Sequence, residues 1–247
     1  VINRMGFNNG GQAAAQPRLD RLRSKAGRGL VGVNIGANKD AADRVADYAT
    51  GVVTMAGLAD WLTVNISSPN TPGLRALQDE GALDALLAAV RDARATVAQT
   101  GHRPPLFLKV APDLEGEQID GVVRSAMTHG IDALIVGNTT ISRPPLQSRH
   151  AGEAGGLSGA PLAPLALQRL RDFRSASGGA ITLIAAGGIA SADDVWERLC
   201  AGASMVQLYS ALVYEGPWLA RAIARELTQR VEQAGVDSIS AIVGSKA

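Results

Sequence analysis

The sequence predicts an α/β fold in which helices cover a parallel β-sheet. Six apolar runs of about five residues recur along the chain, and each is nearly continuous, as is typical of parallel strands buried on both faces. Segments with helical periodicity separate them, and this alternation implies crossover connections between parallel strands. The length of 247 residues suits one (β/α)8 barrel, but a spacing of about 33 residues per unit is also compatible with a doubly wound open sheet.

The predicted strands are apolar runs bounded by Gly, Pro or Asn. They are Leu30–Ile35, Trp61–Ile66, Leu106–Val110, Ala133–Val136, Ile181–Ala185 and Met205–Tyr209. Six strand–helix units are about two fewer than a closed barrel contains. The chain also begins as though inside an element, without an initiator methionine. We therefore expect a longer parent protein with a further segment upstream.

Helical periodicity fills the spaces between the predicted strands. One helix is expected over Gly81–Thr100, where the apolar residues form a single stripe. Another is expected from Ser191, a predicted N-cap followed by first-turn acids, through Leu199. A final helix follows Pro217. The basic stretch Pro17–Gly29 is expected to form an exposed helix and its turn.

Composition excludes several classes of protein. Lys and Arg number 24 against 23 Asp and Glu, so the net charge of +1 gives no electrostatic signal for nucleic acid. The single cysteine, Cys200, excludes a disulfide framework or a multi-thiolate zinc site, and we expect it to be a packed structural thiol. No apolar run reaches the roughly 18–20 residues of a membrane span. No linker or charge block divides the chain, so a single domain over residues 1–247 is predicted.

Polar residues follow the predicted strands, at the edge where parallel α/β enzymes bind their ligands. They are Asn34, Asn65, the segment Ser67–Thr71, Lys109, Asn138–Thr140, Gly187–Gly188 and Tyr209–Ser210. Because the set contains no carboxylate pair and no histidine, glycoside hydrolysis, metal catalysis and Ser–His–Asp hydrolysis are poorly supported. The three histidines, His102, His129 and His150, fall in predicted turns or loops and are interpreted as solvated polar residues.

Two late loops predict a phosphate site. Gly187 and Gly188 follow a strand and precede a helix, so bare backbone N–H groups and the helix dipole are expected to face the strand ends. The loop Tyr209–Ser210 adds a second turn of this kind, and (β/α)8 enzymes commonly bind phosphate at their last two loops.

A cation and several amides complete the predicted site. Lys109, at the end of an apolar strand, either points into the site or pairs with a buried acid, and we favour a cation that faces a developing anion. The amides of Asn65, Asn70 and Asn138 suit a planar ligand with donors and acceptors. Alternatively, the Ser-Pro and Thr-Pro steps in Ser68–Gly73 are simple turn signals.

Seven motifs, in order along nearly the whole chain, resemble those of class 2 dihydroorotate dehydrogenases. They are Asn3–Asn9 (NRMGFNN), Val64–Arg75 (VNISSPNTPGLR), Leu108–Leu114 (LKVAPDL), Gly137–Thr140 (GNTT), Gly155–Pro161 (GGLSGAP), Gly187–Ile189 (GGI) and Val206–Ser210 (VQLYS). The resemblance implies a (β/α)8 TIM barrel, with about six of the eight βα units in this chain. It also implies that the barrel holds FMN and oxidises dihydroorotate to orotate in pyrimidine synthesis, passing electrons to a membrane quinone.

The resemblance further implies roles for individual residues. Ser68 would be the catalytic base, where the cytosolic class 1 enzymes use cysteine, and Thr71 and Phe7 would form its water-linked proton outlet. Substrate contacts would come from Asn3, Arg4, Met5, Gly6, Phe7, Asn65, Asn70, Asn138 and Thr139. FMN contacts would come from Asn34, Asn65, Lys109, Gly137, Gly159, Gly188, Tyr209 and Ser210. Gly137 departs from the family pattern, which often has a hydroxyl residue there, so only its backbone is expected to contact the flavin.

The family also implies partners and a location. An upstream segment with a membrane-associating helix and the first two strands would place a monomer on the cytoplasmic side of a bacterial membrane. Its partners would be dihydroorotate or orotate and a quinone, with no nucleic acid and no metal. Two alternatives stay open: a non-catalytic or incompletely folded fragment, and an FMN barrel reducing another planar substrate. The asparagines of NISSPN and NTT argue against the second.

Overall fold

The computed structural model describes residues 1–71, 73–98 and 101–247. Its strands are β1 (Ile2–Asn3), β2 (Gly32–Ile35), β3 (Trp61–Asn65), β4 (Leu106–Val110), β5 (Ala133–Val136), β6 (Gly156–Leu157), β7 (Thr182–Ala186) and β8 (Ala203–Gln207). Its helices are α1 (Gln12–Arg23), α2 (Arg44–Met55), α3 (Glu80–Ala98), α4 (Glu117–Thr128), α5 (Ala163–Ser177), α6 (Ala192–Cys200), α7 (Ser210–Glu215) and α8 (Leu219–Ala234). Strands and helices alternate, which confirms the α/β class.

Six of the described strands form one parallel sheet in the order β2-β3-β4-β5-β7-β8. The remaining two, β1 and β6, pair with each other antiparallel outside that sheet. A doubly wound sheet reverses its strand order at a switch point, whereas a barrel wall follows the chain. The sequential order found here is that of a barrel wall, which decides between the two architectures that the strand spacing left open.

Four of the six strands have bounds that differ from the prediction by one or two residues: Gly32–Ile35, Trp61–Asn65, Thr182–Ala186 and Ala203–Gln207. The first strand begins at Gly32 rather than Leu30, because the N–H of Val31 donates to the Asp60 carboxylate at 2.6 Å. The last strand starts two residues before the predicted Met205, at Ala203, which pairs with Leu183 of β7. Because its first residues have short side chains, a search for apolar runs does not find the start of this strand.

The two faces of the sheet have different surroundings. In β4, Leu106, Leu108 and Val110 are fully buried in the large cluster between the sheet and the helices. The alternate residue, Phe107, packs on the inner face against a small cluster formed by Ala133, Ile135, Ile184 and Ala186. Alternation of this kind follows from the two-residue period of a strand. The inner face is therefore a separate and smaller apolar layer.

A tryptophan fills part of this inner layer. The ring of Trp61 stacks on that of Phe107, with centroids 6.2 Å apart. A Cβ atom at Gly32, on the neighbouring strand, would lie only 2.0 Å from Trp61 Cε2. Glycine at position 32 is therefore what makes room for the indole.

The helices largely follow the sequence prediction. Ser191 and Asp194 form a capping box at the start of α6, which confirms the predicted N-cap. The helix expected over residues 81–100 spans Glu80–Ala98, and residues 99 and 100 lie outside the described part of the chain. Helix α1 has no buried residue, as expected of an exposed basic helix. Cys200 is buried at the end of α6. None of the helices in the described ranges is long and apolar enough to cross a membrane.

One histidine differs from its prediction. His102 and His150 lie in loops, but the side chain of His129 is only 11% exposed and its Nε2 lies 3.1 Å from Asp84 Oδ1. The interpretation of His129 as solvated is therefore wrong. Its partner is 45 positions away in the sequence, which local pattern does not reveal.

An aspartate stands just before each of two strands and stabilises the amino-terminal edge of the sheet. Asp60 accepts the N–H of Val31 and is held by both terminal nitrogens of Arg28, at 2.5 and 2.9 Å. Asp132 in the same way accepts the N–H of Leu106 at 2.7 Å and pairs with the buried Arg94. These carboxylates join neighbouring strands where the regular ladder begins.

We expect the Asp60 pair to make stability sensitive to acid. The Arg28 guanidinium and the Val31 N–H hold the pKa of the Asp60 carboxyl well below its usual range. The pair therefore contributes stability above the unfolded-state pKa of about 3.9, and this is lost as pH falls toward the lower folded-state value. In urea unfolding between about pH 5 and 2, the free energy of unfolding of Asp60→Asn should fall less steeply with decreasing pH than that of wild type. Asp92→Asn, at an exposed carboxylate, is the control, and equal slopes in Asp60→Asn and wild type would contradict the assignment.

Candidate active site

A row of hydrogen-bonded polar side chains crosses the carboxyl-terminal edge of the sheet. Asn65 Nδ2 donates to Asn34 Oδ1 at 3.0 Å, which joins β3 to β2. Asn65 Oδ1 accepts from Ser67 Oγ at 2.6 Å, and Ser67 Oγ accepts from Asn138 Nδ2 at 2.7 Å. Three residues predicted to bind the cofactor or substrate are thus brought into one network.

Ser67 is a site residue to which sequence reasoning assigned no role. It is fully buried, and its backbone N–H also donates to Asn65 Oδ1, at 3.1 Å. Removal of its hydroxyl would leave the amides of Asn65 and Asn138 without their link. The available signal was its position two residues after Asn65 in a loop at the strand ends, but this does not separate it from Ser68.

Lys109 lies beside this row. Parallel pairing places it opposite Asn65 of β3 and Ile135 of β5. Its side chain is half-buried, and burial lowers the pKa of its ammonium to about 8. No residue in the described ranges forms a hydrogen bond or ion pair with this ammonium. Because a cation withdrawn from water without a partner is unfavourable, the site is suited to an anionic group at this point.

The glycine turn after β7 is closely packed against α5. Gly188 has a positive φ of 68°, and a Cβ there would lie 2.4 Å from the Cα of Ala163. The N–H groups of Gly187 and Gly188 have no acceptor among the described residues. Unpaired backbone N–H groups in a turn of this kind are anion ligands.

The loops that contain Gly159 and Ser210 are neighbours of each other. A Cβ on Gly159 would lie 3.9 Å from that of Ser210, and Ser210 Oγ donates to Ser158 Oγ at 2.9 Å. Gly159 also has a positive φ, of 85°, which favours glycine. Tyr209, which precedes Ser210, is 83% exposed.

The amino terminus of α6 differs from expectation. The Asp194 carboxylate accepts the N–H groups of Ala190 and Ser191, at 2.9 and 3.0 Å. Two N–H groups just before the helix are therefore occupied by its own acid and are not free for a phosphate. The N–H groups of Gly187 and Gly188 have no acceptor among the described residues, so the prediction of bare N–H groups holds for the glycine turn but not for Ala190 and Ser191.

The segment after β1 lies over the loop that follows β3. Asn70 Nδ2 donates to Asn3 Oδ1 at 3.2 Å and to the Met5 carbonyl at 2.9 Å. The Phe7 ring covers Gly36, where a Cβ would come within 2.5 Å of Phe7 Cε2. The antiparallel pairing of β1 with β6 holds this segment in place. Residues far apart in the sequence are thus brought to one side of the site.

Ser68 and Thr71 are buried beneath this segment, at 7% and 6% exposure. Ser68 Oγ accepts the N–H of Asn70 at 3.3 Å. Neither hydroxyl donates to any residue in the described part of the chain. Both hydroxyl protons are therefore free to bond to a ligand or to water.

The remaining predicted substrate residues lie at the rim or between loops. Arg4 Nη1 bonds to Glu153 Oε2 and to the Ala154 carbonyl, at 2.8 and 2.9 Å, and Met5 is 66% exposed. A Cβ at Gly6 would meet no atom within 4 Å. The N–H of Thr139 donates to Asn138 Oδ1 at 2.8 Å. Substrate contact from these residues stays a prediction.

Gly137 has a steric reason to lack a side chain. Its φ is +129°, and a Cβ there would lie 2.1 Å from the carbonyl oxygen of Ala186 on β7. A residue with a side chain, such as the hydroxyl residue that the resemblance leads us to expect, does not fit this backbone. Only a main-chain contact to a ligand is possible at this position.

Comparison with known proteins agrees with the motifs. A family model described as dihydroorotate dehydrogenase matches residues 1–231. Proteins named dihydroorotate dehydrogenase (quinone) from Novosphingobium aromaticivorans and Sphingopyxis alaskensis are each 62% identical to the chain, covering 100% of it and 70% and 68% of their own lengths. A solved DHODH from Eimeria tenella in complex with ferulenol has a TM-score of 0.93 at 38% identity, covering 99% of this chain and 70% of that one. The chain belongs to the dihydroorotate dehydrogenase family.

Proposed function

We propose that this chain oxidises dihydroorotate to orotate with FMN, as a step of pyrimidine synthesis, and passes the electrons to a quinone. Its relatives bear the name of this activity. The observation that carries the proposal is the convergence of a buried serine, a row of amides and an unpaired lysine at one edge of the sheet. The alternative of a non-catalytic fragment has no support in the geometry, since these residues lie at the same edge of the sheet.

The residues present fit FMN. The free N–H groups of Gly187 and Gly188 would bind its phosphate, with Gly159 and Ser210 beside them. Asn34, Asn65 and the backbone of Gly137 would contact the ring. When bound, FMN supplies the acceptor for the hydride from C6 of the substrate. Lys109 would place its cation where negative charge develops during that transfer, in a site partly withdrawn from water.

The amides around Ser68 suit dihydroorotate. Asn3 Nδ2 and Asn70 Oδ1 have no partner among the described residues, so a donor and an acceptor are available on neighbouring side chains. Asn138 uses one proton of its Nδ2 toward Ser67 and keeps a second. A cyclic imide presents both carbonyl acceptors and N–H donors. Substrate binding by these three amides is therefore part of the proposal.

Ser68 would take the proton from C5 of the substrate. Serine is a weak base in water, so this role needs a site that excludes bulk solvent and an outlet for the serine proton. The 7% exposure of Ser68 meets the first requirement. The uncommitted hydroxyl of Thr71 would pass the serine proton to water, and the ring of Phe7 would line this outlet.

We further infer that the chain forms part of a single FMN-binding barrel and works as a monomer on the cytoplasmic face of a bacterial membrane. The name of the relatives specifies a quinone as acceptor, which supports the location at a membrane. Reduction of a water-soluble short-chain quinone by flavin-loaded protein, with dihydroorotate as donor, tests the acceptor directly. Turnover with a nicotinamide or fumarate acceptor alone would contradict it.

Replacing the proposed base separates binding from chemistry. We expect Ser68→Ala to keep its flavin and its melting temperature but to reduce that flavin at least about 100-fold more slowly with dihydroorotate, the usual scale of acid–base catalysis. Stopped-flow absorbance of the flavin measures this step. Ser68→Cys is the matched variant and should retain more activity than Ser68→Ala, because the thiolate of a cysteine can still accept the proton. Flavin reduction at the wild-type rate in Ser68→Ala would refute the assignment.

Lys109 should leave a signature in stability as well as in flavin binding. Because the folded-state pKa is lowered to about 8, the flavin-free folded protein releases this proton before the unfolded chain does. The free energy of unfolding should therefore rise between about pH 8 and 10, a rise that Lys109→Met should lack. The same variant should bind FMN more weakly, measured by fluorescence titration. Unchanged FMN affinity together with an unchanged pH profile would contradict the role of Lys109.

A further inference from the structure

The loops after β3, β4 and β5 share one cation, Arg75, to which neither the sequence analysis nor the proposed chemistry assigns a role. Arg75 begins a short 3-10 turn, Arg75–Gln78, shortly after Ser68 and Thr71 in the chain. Its side chain is 21% exposed, and that of its ion-pair partner, Asp113, is 17% exposed. A charge pair withdrawn this far from water is tolerated where its hydrogen bonds are well satisfied.

Each nitrogen of the Arg75 guanidinium has a different partner. Nε donates to the carbonyl of Ser67 at 3.1 Å, and Nη2 donates to the carbonyl of Thr139 at 3.0 Å. Nη1 bonds to Asp113 Oδ2 at 2.9 Å. The first carbonyl belongs to the peptide bond that joins Ser67 to Ser68. One planar group thus fixes the backbone beside the proposed base and beside a proposed substrate residue.

Asp113 links the guanidinium to the same loops. Its Oδ1 accepts the hydroxyl of Thr140 and lies 3.4 Å from Ser142 Oγ. Thr140 Oγ1 accepts in turn the N–H of Ser142, at 2.9 Å. The carboxylate therefore joins the loop after β4 to the loop after β5, and it holds the guanidinium in the orientation that reaches both carbonyls.

We propose that Arg75, held by Asp113, is the positioning residue that sets the separation of Ser68 from the Asn138–Thr139 segment. The inference rests on the proposed function and deepens it, because Arg75 acts through the backbone of Ser67 and Thr139. Three donors in one rigid plane serve three acceptors in different directions. The ammonium of lysine is a point charge on a flexible stem and does not reproduce this geometry.

The test compares Arg75→Lys and Asp113→Asn with wild type in the flavin-loaded protein. We expect both variants to keep their flavin, to lose about 10- to 100-fold in kcat and to raise the KM for dihydroorotate, because small misplacements of reacting groups have effects of this size. Asp113→Asn keeps the size of the side chain and carries the test if Arg75→Lys does not fold.

Arg28→Lys is the matched control. Arg28 and Asp60 are 19% and 20% exposed, and their ion pair likewise uses a forked guanidinium, but it lies at the opposite edge of the sheet. We expect this variant to lower the melting temperature and to leave kcat and KM unchanged. If kcat falls as much in Arg28→Lys as in Arg75→Lys, the loss in Arg75→Lys is explained by general destabilisation, and the proposal is overturned.

Hydrogen exchange of the protein without substrate gives a readout that needs no turnover. Arg75→Lys should speed amide exchange in segments 66–71 and 137–142, whereas Arg28→Lys should speed it only near residues 28–35. If wild type fails to oxidise dihydroorotate, the proposed function is wrong, and the exchange data still judge the role of Arg75. Wild-type kcat and KM in both Arg75→Lys and Asp113→Asn, or unchanged exchange in both segments, would overturn that role.

Discussion

Parallel pairing of β3 with β4, in the register that sets Asn65 opposite Lys109, is the constraint on which the site depends. Parallel strands end at a common edge, so this register brings the amide row and the lysine together. A shift of one residue would turn Lys109 into the helical layer, where Leu108 is now fully buried. The apolar layer beneath the helices thus enforces the position of the polar groups on the other face.

The charges of Asp60, Asp132 and Lys109, at the two edges of the sheet, have different surroundings. At the amino-terminal edge, Asp60 and Asp132 each accept a strand N–H and each pair with an arginine, so their charges are satisfied within the fold. At the carboxyl-terminal edge, Lys109 has no such partner among the described residues. The fold thus tolerates an unfavourable cation where a ligand is proposed to bind. Its stabilising ion pairs with Asp60 and Asp132 lie at the opposite edge of the sheet. Separation of this kind is characteristic of barrel enzymes.

Local pattern predicted what depends on short segments of chain. The apolar runs located all six strands of the sheet, and Ser191 was identified as an N-cap because the capping signal spans only a few residues. Local pattern does not predict long-range hydrogen bonds. The bonds of Ser67 to Asn138, and of Arg75 to Thr139, join residues more than 60 positions apart. Asp194 lies close in sequence to the glycine turn, but only side-chain geometry reveals that its carboxylate accepts the N–H groups of Ala190 and Ser191. The family motifs supplied residue roles that no periodicity contains.

Gly137 carries a consequence for substitution at the carboxyl end of β5. A Cβ there would fall 2.1 Å from the Ala186 carbonyl, and a φ of +129° is rarely adopted by residues with a side chain. Even alanine at this position would therefore force the end of β5 away from β7, and Asn138 would move with it. The position of an amide in the proposed site thus depends on the absence of a side chain one residue earlier.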